Sequence, residues 1–419
     1  MNKQQFVEAL NALLAALPGE ERARLISYYT EMIDDRIEEG VPEAEAVAAL
    51  GDPAGLVREF LPPEGESAAP EAEGAVTQAL AIVPGQGRRA GTPGSDIHTD
   101  ALNEIRVQVR NADIQLERVL GDDSRVQITA SNPERFRWAL RDGLLEVTEL
   151  PEERRGFFGL FAGESPKLTL GLSNLPLQRL RVESHGGDIG GRDLEITGQA
   201  LLASDSGDVF LQRAAISGGA EVRSRSGDVE LIELESDGAV LLTTSSGDLR
   251  LSRARAAGLE ISTASGDLEL DELSAAEALT ARTSSGDIEL RRGARAREVR
   301  LETAAGDISA RGVTGHRLSF ASASGDIELE APEAYEALSV ESRSGDVRAV
   351  RVDAPEATLS TVSGELSVRL ANRPGGWSVQ VHTVTGDIST DNLPSAAGPN
   401  AARASLRTTS GDLSVSVEG

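Results

Sequence analysis

The chain has no cysteine and few aromatic residues. The absence of cysteine among its 419 residues excludes disulfides, thiolate nucleophiles, iron–sulfur clusters and cysteine-ligated zinc. Phe, Trp and Tyr together make up 3% of the residues, whereas glycine occurs 43 times. This composition favours a slim fold of repeated layers over a core of bulky side chains.

Long hydrophobic runs are also missing. The longest apolar stretches beyond the N-terminus are residues 79–84 and 157–162, and a spanning helix needs about 20 such residues. Residues 1–17 carry Glu8 and Asn11 inside their apolar pattern and have no small-residue cleavage site, which makes a poor signal peptide. We therefore expect a soluble, cytoplasmic protein, with an envelope-associated location as the alternative.

Basic residues are outnumbered by acidic ones. The 41 Lys and Arg residues face 68 Asp and Glu residues, so the formal charge is −27 at pH 7. Direct binding of nucleic acid needs a basic patch, and this balance argues against it. The same balance argues against unaided adhesion to anionic lipid.

Residues 1–61 have the apolar spacing of a small all-α module. Helices are predicted over residues 3–17, from residue 20 to Gly40, over 42–50 and over 53–61. The second helix carries an acidic cluster that includes Asp34, Asp35 and Glu38. This cluster is either a solvated face or a docking face for a basic partner.

The module contains a set of short motifs at characteristic spacing: Leu17-Pro18, Tyr28-Tyr29-x-Glu31-x-Ile33-x-Asp35, Glu39-Gly40 and Leu50-Gly51-Asp52-Pro53. With these motifs the module resembles the HAAS signalling domain, also known as DUF1700. Relatives of this module often accompany PadR-type transcription regulators, which implies contact with a protein partner and no catalysis. The candidate contacts in the module are Tyr28, Tyr29, Asp34, Asp35 and Glu38.

Residues 62–95 differ in composition from the segments on either side. These 34 residues contain five prolines and six glycines, with Ala and Glu among most of the others. Such a composition is typical of a flexible, partly extended linker.

One pattern repeats from residue 180 onward. A glycine followed by an acid recurs, with 19 or 20 residues between acids from Asp188 to Glu365 and then 22 and 25 residues to Asp387 and Asp412. A fixed period of this length indicates stacked units. The predicted turn ladder contains Gly207, Asp208, Gly227, Asp228, Gly247, Asp248, Gly266, Asp267, Gly286, Asp287, Gly306, Asp307, Gly325, Asp326, Gly345 and Asp346.

Alignment of the repeats on the acid predicts two short strands in each. The residue after the acid is aliphatic in every copy, and apolar residues lie six and eight positions before it. Alternation with a period of two is typical of strands, and repeats that run in the same direction stack in parallel. The sequence therefore predicts a mainly β fold: a single-stranded parallel β-solenoid, or β-helix, of about 12 or more coils, preceded by the small all-α module on its linker.

A Ser or Thr lies four residues before the acid in every copy. By parity this column faces inward, where a hydroxyl can bond to the turn backbone or to the next hydroxyl. The glycine is expected to supply a positive φ or a close backbone approach, and the acid to accept turn amides. The inward hydroxyl ladder contains Ser204, Ser224, Thr244, Thr263, Thr283, Thr303, Ser322, Ser342 and Thr361.

Three functional interpretations compete with this structural one. A calcium ladder needs a second set of carboxylates, an ice-binding face needs a regular outward Thr array, and a polysaccharide-cleaving β-helix needs long loops that form a cleft. The repeats have one acid per coil, mixed outward residues and uniform length. We therefore predict no catalytic residue, no metal site and no cofactor, and we interpret the four scattered histidines as surface residues.

An aromatic loop interrupts the strands before the repeats. Phe157, Phe158 and Phe161 lie within five residues, directly after Arg154 and Arg155. The loop is either a hydrophobic plug over the N-terminal end of the solenoid or an exposed tip that contacts a partner.

Residues 97–419 resemble the DUF4097 family of candidate adhesins. The Ser-Gly-Asp-[Ile/Val/Leu] repeats carry this resemblance, together with irregular strands over 105–109, 114–116, 126–129, 144–148 and 167–172. We divide the chain into a docking module (1–61), a linker (62–95), an N-terminal cap of irregular strands (96–180) and the solenoid (181–419).

The predicted function is that of a non-enzymatic scaffold or interaction protein. The module would dock a PadR-type regulator or an envelope-stress component, and the acidic rod would serve as a binding surface. A cell-surface or envelope adhesin and a carbohydrate-active β-helix are the alternatives. Since the sequence stops seven residues after Asp412, we also expect an uncovered last coil that associates end to end through residues such as Val415.

Overall fold

The computed structural model describes residues 3–13, 30, 33, 43, 47, 89–98, 102–121, 123–151, 165–173, 175–393, 398 and 400–418. The chain divides into two compact units. The first comprises Met1–Val83 with Glu152–Gly163, and the second comprises Pro84–Pro151 with Glu164–Gly419.

The described part of the first unit is helical. Helix α1 spans Lys3–Leu13, and Thr30, Ile33, Glu43 and Val47 also have helical backbone. Phe6, Ile33 and Val47 are at most 1% exposed. They belong to the first three predicted helices, so each of these helices contributes a buried side chain. Among the described residues, no helix is both long enough and apolar enough to cross a membrane.

The second unit contains 32 strands within the described residues. The first eight are β1 (Arg89–Gly91), β2 (Ser95–His98), β3 (Glu104–Gln108), β4 (Asp113–Arg118), β5 (Arg125–Ala130), β6 (Phe136–Arg141), β7 (Leu144–Glu149) and β8 (Lys167–Ser173). The next twelve are β9 (Arg179–Ser184), β10 (Ile189–Ile196), β11 (Gln199–Ser204), β12 (Val209–Ile216), β13 (Ala220–Ser224), β14 (Val229–Glu235), β15 (Ala239–Thr243), β16 (Leu249–Ala256), β17 (Gly258–Ser262), β18 (Leu268–Ala275), β19 (Ala278–Thr283) and β20 (Ile288–Leu290). The last twelve are β21 (Ala294–Thr303), β22 (Ile308–Arg311), β23 (Val313–Ser322), β24 (Ile327–Glu330), β25 (Glu333–Ser344), β26 (Val347–Val352), β27 (Glu356–Ser363), β28 (Leu366–Leu370), β29 (Trp377–His382), β30 (Ile388–Asp391), β31 (Ala402–Arg407) and β32 (Leu413–Val417).

These strands form two parallel ladders, one on each side of the glycine-acid corner. Odd-numbered strands pair in the order β7, β3, β9, β11 and onward to β27, then β31 and β29. Even-numbered strands pair in the order β8, β4, β10, β12 and onward to β28, then β32 and β30. The mainly β, parallel solenoid predicted from the sequence is therefore confirmed.

Inward side chains of successive coils stack in columns between the two ladders. Leu202 lies in register between Val182 and Val222, and all three side chains are fully buried. On the other ladder, Ile288 lies between Leu268 and Ile308. A fully buried Leu or Ile contributes roughly 1.5–3 kcal/mol, so a core of small aliphatic residues suffices when it repeats in every coil.

A left-handed residue bends the second strand of most coils. It follows the acid by five positions, and most of its occupants are not glycine even though a positive φ costs such residues about 1 kcal/mol or more. No pattern in the sequence predicted this feature. The non-glycine members of the column are Asp193, Arg213, Glu233, Arg253, Glu272, Ala331, Arg351 and Asn392, with φ from 50° to 60°.

Antiparallel strands cover the N-terminal end of the solenoid. On one ladder β6 pairs with β7 and β1 with β6, and on the other β5 pairs with β8 and β2 with β5. Trp138 fixes this cap, since its indole N–H donates to the carbonyl of Thr92 at 3.0 Å. Sequence analysis identified strands that match β3, β4, β5, β7 and β8 but not β1, β2 or β6.

The last coil in sequence is not the last coil in space. Strands β31 and β32 lie between the coil of β27 and β28 and the coil of β29 and β30. Val415 is therefore sandwiched between Val368 and Thr390 and is only 2% exposed. The expectation that Val415 lies on an open end is wrong, because the loop after β30 returns the chain into the stack.

Candidate functional site

The glycine-acid corner is the most regular feature of the second unit. From Gly207 to Gly364, each corner glycine lies against the glycine of the preceding coil. A Cβ added at Gly286 would lie 2.0 Å from the carbonyl oxygen of Gly266, and one at Gly207 would lie 2.2 Å from that of Gly187. Only Gly386 and Gly411 in this column have a φ in the left-handed region. Close approach, rather than backbone conformation, therefore requires glycine at most corners.

The Ser/Thr column joins each corner to the one before it. The hydroxyl of Thr283 donates to the carbonyl of Gly266 at 3.0 Å and accepts the backbone N–H of Gly286 at 3.1 Å. The bond to the preceding glycine carbonyl recurs from Ser204 to Thr361. These hydroxyls are nearly all buried, and they stabilise the stack because they satisfy polar backbone groups at the corner.

The acids form a second column of bonds between coils. The backbone N–H of Asp287 donates to Oδ1 of Asp267 at 2.9 Å, and Oδ1 of Asp287 accepts the N–H of Asp307 at 2.8 Å. The column begins at Asp113, whose carboxylate accepts the N–H of Asp188, and it reaches the N–H of Glu365. The acid thus accepts a hydrogen bond from the next coil. The sequence had predicted that it would accept amides of its own turn.

The structure brings the predicted ladder residues together, but the candidate partner contacts lie outside its described part. The predicted members of the turn ladder and of the hydroxyl ladder lie in the two bonded columns just described. Tyr28, Tyr29, Asp34, Asp35, Glu38, Phe157, Phe158 and Phe161 lie outside the described residues. Their roles stay predictions.

Asp287→Asn should change stability little. The amide keeps an oxygen that accepts the N–H of Asp307, so the loss should be about 1 kcal/mol or less, whereas Asp287→Ala removes the acceptor and should cost more. Thermal unfolding of the two variants with and without calcium measures this. We expect calcium to leave the melting temperature unchanged, and a large rise that Asp287→Asn abolishes would favour a calcium ladder instead.

Ion pairs join successive coils at the left-handed residues or directly beside them. Arg213 donates to both carboxylate oxygens of Asp193, at 2.5 and 2.8 Å, and Arg292 binds Asp271 in the same bidentate way. The hydrogen bonds from these arginines lower the pKa of Asp193 and of Asp271. A lowered pKa means that each pair stabilises the fold above the acid's unfolded pKa and loses this effect as the pH falls through the lowered value. Since the pairs lie at the surface, each contribution is small.

Glu149 is a buried carboxylate at the N-terminal end of the hydroxyl column. Its Oε2 accepts the backbone N–H groups of Arg110 and Asn111 at 2.6 and 3.1 Å. Its Oε1 accepts a hydrogen bond from Arg135 at 2.6 Å, and its side chain is only 1% exposed. Glu149 was not among the predicted site residues, although its alternation with Leu145 and Val147 places an acid at an inward position.

The histidines and acids of the described residues do not form a metal site. Within them, no three His, Asp or Glu side chains come together in a way that would hold a metal ion. Of the four histidines, His98 pairs with Asp123 at 2.9 Å and His316 with Glu336 at 3.4 Å. His185 lies 3.3 Å from the carbonyl of Val109, and His382 is exposed.

Two family models match the chain. The Toastrack DUF4097 model matches residues 102–293 and 274–419, and the HAAS model matches residues 5–59. Both resemblances noted in the sequence are thereby confirmed.

Several solved structures are similar to this chain. A candidate adhesin of Bacteroides fragilis is 19% identical, aligns with 55% of this chain and 100% of its own, and gives a TM-score of 0.35. A candidate adhesin of Parabacteroides distasonis is 13% identical over 79% of this chain and 97% of its own, with a TM-score of 0.27. A candidate lipid-binding protein of the same organism is 15% identical over 78% and 98%, with a TM-score of 0.25. No curated protein matches the chain.

Proposed function

The chain belongs to the Toastrack DUF4097 family, and from this premise we propose that it is a non-enzymatic interaction protein. Its HAAS module binds a protein partner, and its solenoid provides a rigid, acidic binding surface. The partner is a PadR-type regulator, which the module's resemblance implies, or a component of an envelope-stress response.

One observation carries this proposal: the polar side chains at the corner form hydrogen bonds between coils. The inward hydroxyls bond to glycine carbonyls of the preceding coil, and the corner acids bond to the N–H of the following coil. The hydroxyl and carboxylate groups of the corner, which could act as nucleophiles, bases or metal ligands, are therefore engaged in bonds between coils. What the rod presents to solvent is a long polar face of Glu and Arg residues, which suits binding rather than chemistry.

The buried residues of the helical module favour its acidic face as the docking site. Ile33 is fully buried. The sequence predicts a helix from residue 20 to Gly40, and a helix turns by about 100° per residue. On that prediction, Asp34, Asp35 and Glu38 would lie away from the face of Ile33. An acidic face on a small, separately folded unit suits a basic surface of a partner protein.

Neutralising this face should weaken partner binding. The variant Asp34→Asn/Asp35→Asn/Glu38→Gln in the full-length chain should recover about tenfold less partner in affinity capture followed by quantitative mass spectrometry. The matched control Glu64→Gln/Glu66→Gln/Glu71→Gln removes the same charge from the linker and should recover as much as the wild type. Equal recovery by all three proteins would contradict the proposed docking face.

We further propose a cytoplasmic location, which separates this function from that of a surface adhesin. Cell fractionation tests it, because recovery of the protein outside the cytoplasmic membrane would favour an adhesin. A carbohydrate-active β-helix would instead turn over a glycan, and substitution of one pair of acids would abolish the turnover.

A further inference from the structure

One coil at the C-terminal end of the stack is open on its outer side. This terminal coil comprises residues 377–391, and its strands β29 and β30 pair only with β31 and β32 among the described residues. Ile388 is 47% exposed, whereas Ile288, in the same column of an inner coil, is 1% exposed. Val384 is 66% exposed, and Val379 and Val381 are half-buried. The coil thus presents unpaired strand edges beside uncovered apolar side chains, which proteins usually protect.

The opposite end of the stack is covered. Four antiparallel strands extend the two ladders there, and the outermost, β1 and β2, are only three and four residues long. Pro93 lies between them and is buried. Short outer strands next to proline are a common protection against strand addition. Among the described residues the two ends of the solenoid are therefore unlike. The open edge of β29 is six residues long, longer than β1 or β2, and the exposed Val384 and Ile388 follow it in the same coil.

The C-terminal region also lacks the charge that keeps copies of this chain apart. Residues 366–419 contain four arginines and four acids, so their net charge is zero, whereas the whole chain carries −27. Strand β29 has no Asp, Glu, Lys or Arg, and β30 has only Asp391. Two copies that approach through this end meet little of the repulsion that acts elsewhere on the rod.

We propose that two copies of the chain associate tail to tail through the terminal coil and form a closed dimer. A second copy supplies what the edge requires: strands of the same length and an apolar patch of the same shape. In a two-fold arrangement, Ile388 and Val381 of one copy face the same residues of the other, and both open edges are used at once. The cap at the other end stops further addition, so the assembly ends at two copies. This inference is independent of the function proposed for the helical module.

Sedimentation equilibrium of the full-length protein over a concentration series tests the dimer. The wild type should convert from a species of 44.0 kDa to one of twice that mass and no larger. Ile388→Arg and Val384→Arg each introduce one arginine per copy, so two like charges lie in the dimer contact. Each variant should weaken association by about 100-fold or more. Leu120→Arg is the matched control, because Leu120 is 88% exposed outside the terminal coil and should leave the dimer intact.

Circular dichroism verifies that each variant is folded, and Val384 lies in a turn that tolerates substitution better than strand β30. A wild type that stays monomeric at the highest concentration would overturn the proposal. So would dimers that persist in both Ile388→Arg and Val384→Arg. Species that keep growing beyond two copies would show head-to-tail addition and would equally contradict a closed dimer.

Discussion

Gly286→Ala should destabilise the solenoid by about 3 kcal/mol or more, although it adds a single methyl group. The new Cβ would lie 2.0 Å from the carbonyl oxygen of Gly266 and 2.6 Å from its carbon. Neither atom can move freely, because Gly266 belongs to the backbone of the adjacent coil and its carbonyl also accepts the hydroxyl of Thr283. The two coils must separate at this corner, which weakens the bonds of the Ser/Thr and acid columns on both sides.

Gly258→Ala is the matched control for this substitution. Gly258 is the first residue of strand β17, and a Cβ there meets only the carbonyl oxygen of Ala278, at 3.8 Å. Long repeat arrays do not always unfold in one step, so the measurement combines the urea midpoint with hydrogen exchange along the chain. Loss of protection should centre on the coils of Gly266 and Gly286. Equal stability of Gly286→Ala and Gly258→Ala would contradict the close-approach explanation.

Glu149→Ala should cost about 3 kcal/mol and should loosen the N-terminal end of the stack. The substitution leaves the N–H groups of Arg110 and Asn111 without their acceptor and removes the carboxylate that pairs with Arg135. Removal of one partner from a buried ion pair costs about 3–5 kcal/mol, and the lower value applies because Arg135 is 24% exposed.

Two substitutions on the same strand make this prediction specific. Glu149→Gln keeps an oxygen that accepts the two backbone amides. Its stability should therefore lie between that of the wild type and that of Glu149→Ala. Glu146→Ala removes an acid that is 34% exposed and pairs with Arg106 at 3.4 Å, so it should cost less than about 1 kcal/mol. If thermal unfolding showed the same loss of stability for Glu146→Ala and Glu149→Ala, the proposed importance of the buried Glu149 carboxylate would be contradicted.

The repeated part of the fold was predictable because its physical requirements repeat. The aliphatic residue after each acid, the apolar residues before it and the Ser/Thr between them form columns in the sequence alignment, and the same residues form columns in the stack. Val222, for example, is fully buried between Leu202 and Leu242, as the period of 20 residues requires. Periodicity was thus sufficient to predict parallel strands, the corner and the inward hydroxyls.

Features without a sequence period were not predictable in the same way. The return of β31 and β32 into the stack depends on the loop after β30, and a repeat alignment contains no information on the spatial order of equivalent units. The cap strands β1, β2 and β6 are short or antiparallel and belong to no repeat. The left-handed column contains Asp193, Arg213 and Ala331, which do not share the glycine signal that usually marks a positive φ.

The candidate site was predicted in part. Sequence parity identified the inward hydroxyls, and the glycine column was identified with two alternative reasons, of which close approach holds at Gly286. The direction of the acid's hydrogen bond was not predictable, because a carboxylate can accept an amide of its own turn or one of the next coil. The structure distinguishes the two, because the N–H of Asp307 donates to Oδ1 of Asp287 at 2.8 Å.

Co-purification from native lysate with the full-length chain and with residues 96–419 tests the central claim most directly. Both baits are compared by mass spectrometry, after circular dichroism has verified that the shorter one keeps its β-structure. If the helical module carries the specific contact, the full-length chain should recover a defined protein partner that residues 96–419 do not. Recovery of the same partner in the same amount by residues 96–419 would contradict the account.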